Sequence, residues 1–559
     1  MQALESVNLI RKKRSGKIKG QTCANGSRQR QFLKDGKSVA SPTVTLESLI
    51  STWVIDAYEG RDVATFDVPG AYLHAEMPKE KRILMIIRGD FVDILCKACP
   101  KYVPYVKEIH GKKILYVRVL RAIYGCIESA LLWYTLFSNT LKDMGFKINP
   151  YDRCIANKDI DGAQCTMAWY VDDVKISHRN SAVVSKLIEQ IENLFGDVKA
   201  VRGNDHTYLG MNVSVGSDKQ ISISMKDQIQ ETLDAFPEDI NSEVSSPAGR
   251  HLIQVNDNGV PLSKEKAELY HSIVAKLLYM EKRARPDIEP TVAFLCTRVQ
   301  SPDEDDWKKL KRVLAFLKQT IDDKRIIGGD NLHSVFTWVD AAYAVHPNMC
   351  SHTRGAMSMG WGVLHSKSSK QKLNTKSSTE AELVGVSEYL PHNIWLMNFM
   401  EEQGYKVEHN VLYQDNESAI KMERNGRNSC TGNSRHISIR YFFVKDRVDE
   451  GEVDILYCPT HKMLADFFTK PLQGKQFKSF QDVIMGYKHI HSLNKISNEP
   501  TLKERIGEQE KRGNRNVTAV SYDEGVEAEK GSSQTYAEVV RGKDNNSRAI
   551  KRVKFISTH

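Results

Sequence analysis

The spacing of apolar positions changes three times along the chain. Between residues 38 and 200, short apolar runs (DVATFDV, RILMIIRG, KILYVRVL, QCTMAWYVDDVKIS) have the length and β-branched content of strands. They alternate with SPTVTLESLISTWVIDAYEG and ESALLWYTLFSNTLKDMG, which read as helices. Strands and helices mixed with long connections predict an α+β sheet domain. From about 245 to 325 the pattern turns helical, with Leu269, Ile273, Leu277 and Leu278 on one stripe. Trp307, Leu310, Val313, Leu314 and Leu317 form a second stripe, and Asp303, Glu304, Asp305 and Asp306 suit the positive end of its helix. Strand-like runs then return (SVFTWVDAAYAV, GAMSMGWGVLHS, NVLYQDNE, EVDILYCP) with helices between them, as in an α/β unit. Gly328-Gly329-Asp330 reads as the linker turn into that unit. From about 490 onward Lys, Glu, Gly, Asn and Ser dominate, with only Tyr522, Tyr536 and Phe555 as aromatics. Such a composition buries too little surface to offset ordering entropy and predicts disorder.

Composition narrows the class. A chain of 559 residues exceeds one core, and ~100–200 residues per domain implies three or four units. Its 41% hydrophobic and 27% charged residues are those of an ordinary globular protein. No run approaches the ~20 apolar residues of a membrane span, and MQALESVNLIRKKR lacks a signal-peptide core, so no membrane partner is expected. Ten scattered cysteines fit a reducing compartment, the cytoplasm. Cys96 and Cys99 have zinc-like spacing without a second pair and read as free thiols. The net charge of +9 is concentrated: residues 1–37 hold ten Lys or Arg against Glu5 and Asp35. That segment suits a phosphate backbone, and a solvated basic tail accounts for it equally well.

Chemistry first surfaces at Tyr170-Val171-Asp172-Asp173, a hairpin turn between TMAWY and VKIS. Paired acids on a surface turn are common. The upstream run FDVPGAYL at 66–73 adds a third, Asp67, toward a strand end. Three carboxylates converging on strand ends provide the hard oxygen ligands of a two-metal phosphoryl-transfer site, with Mg²⁺ ions ~3.5–4 Å apart.

Residues 66–73, RAIYGCIESALLWY at 121–134, the 170–173 turn and TYLGM at 207–211 stand in one order. In that order they resemble the reverse transcriptases of Ty1/copia-type LTR retrotransposons. KIKGQTCANGSRQR at 17–30 looks like the end of that family's fingers, so the resemblance spans roughly residues 10–475. It implies Asp67 and Asp172 as metal ligands, Asp173 as the third carboxylate, and Tyr72 as the aromatic gate against a ribonucleotide 2′-OH. It further implies substrate contacts from Lys19, Arg28, Tyr124, Gly125 and Tyr170. An ordinary core aromatic is the alternative for Tyr72, and its spacing of five residues from Asp67 favours the gate. Many family members read close to LYGLKQAPRQWY where this chain has IYGCIESALLWY. Tyr124, Gly125, Trp133 and Tyr134 carry over, while Ile127, Glu128, Ser129 and Leu131 depart from the pattern in a segment that helps position template and nucleotide.

A second acid set follows: Asp340 ending FTWVD, Glu382 in SSTEAELVGV, Asp415 ending NVLYQD, and Asp466 in THKMLADFFTKPL. Singly, each is an ordinary cap or surface charge. Ordered as D…E…D…D, they resemble the RNase H domain of the same elements, which implies two-metal hydrolysis of RNA in a hybrid. Glu382 is chosen over Glu380, which would project from another side of the helix that Ser377, Ser378 or Thr379 caps. His461 is a candidate for product release or proton transfer, and a structural role accounts for it as well. Arg354 and His436 match family positions as hybrid-contacting or structural groups.

The expected architecture is an α+β right-hand polymerase palm with partial fingers and a helical thumb or connection, then an α/β RNase H-like domain and a disordered tail. The boundaries are partial basic fingers 1–45, palm 46–245, thumb or connection 246–330, RNase H-like domain 331–475 and tail 476–559. The expected activity is RNA- and DNA-directed DNA synthesis plus hybrid cleavage, with two Mg²⁺ per site. The expected partners are RNA template, DNA primer, RNA–DNA hybrid and dNTPs. The expected location is cytoplasmic, in a virus-like particle, with a nuclear stage. Two alternatives stand beside it: a catalytically weak nucleic-acid-binding remnant, favoured by the short fingers and altered 126–131 segment, and a nuclease working through the second acid set alone.

Overall fold

The structure is a computed structural model. It describes residues 3–12, 16, 18–32, 39–256, 258–346, 348–426, 438–468 and 470–493. All lie in the unit Met1–Leu502. The expected tail lies outside these residues from 494 onward, as does His436.

The first sheet has five strands in the order Ile18–Ala24, Leu4–Lys12, Leu84–Arg88, Lys112–Arg118, Lys107–Ile109. The basic N-terminal hairpin is therefore not a separate unit ending at 45. Leu4 pairs with Met85 in parallel register, so RILMIIRG and KILYVRVL leave the expected palm and complete this sheet. The physical reason is burial: Leu4, Met85, Ile87, Leu115 and Val119 close a core of their own with Val92 beneath them.

The second sheet, of six strands, runs Val201–Arg202, Asp62–Asp67, Asp173–His178, Ala163–Tyr170, Ile155–Ile160, Lys147–Ile148. Helices Leu46–Glu59, Ser129–Asp143 and Ser181–Phe195 share its core through Trp53, Trp133, Phe137 and Leu187. Thr45 caps the first of these helices by accepting the Ser48 amide, and Gly60, left-handed at φ 63°, ends it.

The helical region is Lys264–Arg283, Glu289–Arg298 and Glu304–Gln319. Asp303 caps the last with a full capping box to Asp306. Ile273 and Leu277 are buried as their spacing predicts, whereas Leu278 is exposed.

Gly328 and Gly329 are not a linker turn. They end the strand Arg325–Gly329, which joins Gln220–Ser224 of the first half to Gly360–Trp361 of the second in one sheet. Glycine is needed because a Cβ at Gly328 would meet the Gln220 side chain at 2.9 Å and one at Gly329 would meet Leu332 at 2.7 Å.

The last sheet runs His365–Lys370, His352–Ser358, Ser334–Ala342, His409–Gln414, Asp454–Tyr457. Its first three strands are antiparallel and its last two run parallel to the central one. Helix Ser378–Glu402, capped by Ser377, packs across it. The expected disorder from 476 does not hold for 476–493. Helix Gly474–Ile484 buries Phe477, Phe480, Val483 and Ile484, and Ile490–Leu493 forms a further turn. These apolar positions sit at helical spacing just ahead of the polar composition and were hidden by it. No helix among the described residues is long and apolar enough to cross a membrane.

Candidate active sites

Asp67 ends its strand after four buried residues, so the same pleat that anchors Phe66 in the core delivers Asp67 to the surface. The neighbouring strand begins with Asp173, which pairs directly with Asp67 across the ladder. Tyr170 and Asp173 close the hairpin around Val171 and Asp172. Val171 sits at φ 59°, a left-handed conformation that costs a β-branched residue ~1–3 kcal/mol. Its surroundings hold it there. Trp133 donates its indole N–H to the Val171 carbonyl at 2.6 Å, the Val68 amide donates to Asp172 O at 2.8 Å, and Tyr208 donates its hydroxyl to Asp173 O at 2.9 Å. Trp133 and Tyr208 were visible in quoted motifs, but their spacing gave no hint that they fix the turn.

The Tyr124 hydroxyl donates to Asp172 Oδ2 at 2.9 Å, and the Tyr72 ring lies 4.4 Å from the Tyr124 ring, tilted. Tyr72 and Tyr124 thus stand together beside the acids. Burial, then Asp172, raise both hydroxyl pKa values, so both stay neutral donors. Asp173 is pushed up to about 6 by burial and then by the neighbouring charges of Asp172 and Asp67. Tyr170 is exposed at the turn. Gly125, at φ 89°, has no room for a Cβ, which would stand 1.9 Å from the Ala24 carbonyl. It is where the N-terminal hairpin meets the 121–134 segment, so it has a packing role there. Lys19 and Arg28 lie on the Ile18–Ala24 strand and the Gly26–Phe32 turn; their side chains fall outside the described residues. Of the departing positions, Glu128 pairs with Lys81 and the Ile127 amide donates to Gln29.

The second site gathers more tightly. Asp340 and Asp415 come from adjacent parallel strands, and Glu382 projects from the helix packed over them. Their carboxylate oxygens come within 4.8 Å of one another, the sole such group of three or more ligand residues found among the described residues. Asp67, Asp172 and Asp173 are not drawn that close, and Asp172 is already engaged by Tyr124. Glu380 is turned away, its carboxylate accepting the Lys376 amide at 2.7 Å as a helix cap. Burial first, then the neighbouring acids, raises Asp340 and Glu382. Gln414 donates to Glu382 at 3.3 Å and Thr460 to Asp415 at 2.9 Å.

Asp466 is buried and stands outside the trio, paired with Lys470 at 2.7 Å, though its charge still raises Asp340. Arg354 is buried opposite Asp340 in the ladder and pairs with it at 3.5 Å. His461 is exposed, next to the Thr460 that holds Asp415. Among the described residues Cys96 and Cys99 are free thiols, as expected. Both acid sets consist of hard oxygens in excess negative charge, which fits Mg²⁺.

Residues 7–247 match the family model for reverse transcriptase (RNA-dependent DNA polymerase). The chain is 25% identical over 476 residues to the Pol polyprotein of transposon TNT 1-94 from Nicotiana tabacum, covering 84% of this chain and 34% of that protein. The chain is thus similar to Ty1/copia-type retrotransposon Pol polyproteins, with a reverse transcriptase match over its first half. A second relative is the Pol polyprotein of transposon RE2 from Arabidopsis thaliana, 26% identical over 83% of this chain and 30% of that protein. A third is the Ty1-DR6 Gag-Pol polyprotein of Saccharomyces cerevisiae, 22% identical over 85% and 26%. The chain therefore spans about a third or less of these relatives' lengths. Among solved structures, the foamy viral protease–reverse transcriptase in complex with an RNA/DNA hybrid overlaps 82% of this chain and 50% of its own at TM-score 0.45 and 13% identity.

Proposed function

We propose that this Pol segment is an RNA- and DNA-directed DNA polymerase that also cleaves RNA in RNA–DNA hybrids. The observation that carries it is the pairing of Asp67 with Asp173 beneath a braced Tyr170–Asp173 turn, inside a reverse transcriptase domain. Asp67, Asp172 and Asp173 would hold Mg²⁺, which when bound polarises the phosphoryl oxygens and lowers the pKa of the attacking group. Tyr72 and Tyr124 form a wall that orients the sugar of an incoming dNTP, and Tyr72 excludes a 2′-hydroxyl by bulk. A carboxylate that accepts the Tyr124 hydroxyl at Oδ2 still has a second oxygen to offer a metal.

The nuclease half rests on the mixed sheet with its central strand flanked by one antiparallel and one parallel neighbour, and on the Asp340–Glu382–Asp415 trio. Both resemble an RNase H-like domain. In this reading Asp466 is a fourth acid that closes on the site when RNA binds. The substrates are an RNA template, a DNA primer and their hybrid, handled in the cytoplasm within a particle and later in the nucleus.

Primer extension on poly(rA)/oligo(dT) and cleavage of a labelled hybrid, both in Mg²⁺, separate the two halves. Asp172→Asn should remove extension and spare cleavage, and Asp415→Asn should do the reverse. Extension that survives Asp172→Asn sinks the polymerase assignment, and cleavage that survives Asp415→Asn sinks the nuclease assignment.

A further inference from the structure

A cavity of about 500 Å³ lies between residues 249–256 and helix Glu304–Gln319, and none of the acids of either set lines it. His251, Leu252, Asp305, Lys308, Lys309 and Arg312 are on its wall. Lys309 is already satisfied: its ammonium donates to the Gln254 carbonyl at 2.6 Å and pairs with Asp305 at 2.9 Å. That pair cancels locally. Arg312 is different. Its Nε is buried without a hydrogen-bond partner among the described residues, and its Nη2 makes only a long 3.4 Å contact to the Ser246 hydroxyl. Burial depresses its pKa with no carboxylate opposing the shift. Lys308, one helical turn before it, is exposed at the same wall.

A partly desolvated guanidinium with no carboxylate partner among the described residues is unfavourable, and an anion entering beside it offsets that cost. Arginine's planar fork matches phosphate oxygens in particular, and charge-assisted bonds of that kind are about twice as strong as neutral ones. Leu252 supplies an apolar wall for the carbon skeleton attached to such a group. The volume falls within the ~300–1,000 Å³ of ordinary ligand pockets.

We propose that this cavity binds a phosphate group, held by Arg312 and Lys308. The same chemistry could come from the backbone of a nucleic acid or from a free diphosphate, and two titrations distinguish them. Both use the full chain in EDTA, without turnover, so they give the same answer whether or not the chain extends primers. In the first, a fluorescent RNA–DNA hybrid is titrated by anisotropy over a range of salt. Arg312→Gln should weaken it roughly tenfold and lower the salt slope by about 1, as loss of one phosphate contact does. Lys308→Gln, an exposed substitution that leaves packing intact, should act in the same direction. Lys264→Gln, an exposed charge off the cavity, should not. In the second, inorganic pyrophosphate is titrated calorimetrically. Loss of hybrid affinity alone assigns a backbone phosphate, and loss of pyrophosphate heat alone assigns a free diphosphate. If Arg312→Gln and Lys308→Gln match Lys264→Gln in both titrations, the proposal is wrong.

Discussion

At Gly125 two backbones meet with no space for a side chain. The Ala24 amide donates to the Tyr124 carbonyl at 2.8 Å, and the Cβ of any other residue would collide with the Ala24 carbonyl at 1.9 Å. Gly125→Ala should therefore cost about 2 kcal/mol or more and loosen the N-terminal hairpin first, read as a lowered urea midpoint and earlier proteolysis before residue 30. Glu423 carries a different strain. It is fully buried, neither carboxylate oxygen has a hydrogen-bond partner among the described residues, and burial pushes its pKa up to about 8. An acid raised on folding binds its proton more tightly in the native state, so stability is highest below about pH 4.5 and falls as pH rises toward 8. Glu423→Gln should flatten that slope, gaining about 2 kcal/mol at pH 8 and nearly nothing at pH 4.5. Equal gains at both pH values would contradict the buried carboxyl. Gly125 was legible as a motif residue, but its task needed a contact with a strand a hundred positions earlier. Glu423 gave no signal in the sequence, because a helical Glu usually faces water.

The strand Asp173–His178 shows what an element must do to present an acid. Its face bearing Asp173 continues into Lys175, which is fully buried, pairs with Asp56 and donates to Thr52 at 3.1 Å. Lys175→Met leaves Asp56 with only Arg61, 3.8 Å away, and should destabilise by about 3 kcal/mol in denaturant melts. Adding Asp56→Leu should recover most of that, since the pair costs desolvation that apolar packing avoids. A double variant no better than the single would overturn this account. Strand and helix positions were legible here: DVATFDV, TMAWY and VKIS have the right period, and the acids at 303–306 mark the start of their helix. Partner choice was not. A run such as RILMIIRG reads equally well in any sheet, and only the register of Leu4 on Met85 assigns it to the N-terminal one.

On the scale of the whole molecule, the two acid sets stand on separate sheets joined by a third. The strand Arg325–Gly329 pairs with Gln220–Ser224 on one side and Gly360–Trp361 on the other, and helix Gly474–Ile484 returns to the helical region. Boundaries drawn along the sequence miss this because the chain crosses them twice. The acids themselves were legible from the order of the motifs that carry them, and Asp340, Glu382 and Asp415 do converge. The central claim is that Asp67 belongs to a polymerase site distinct from that trio. Its most direct test is dTTP incorporation on poly(rA)/oligo(dT) by Asp67→Asn, with hybrid cleavage measured on the same preparation. The account predicts that incorporation falls at least about a hundredfold while cleavage stays within about twofold of the parent chain. Incorporation at the parent rate would contradict it.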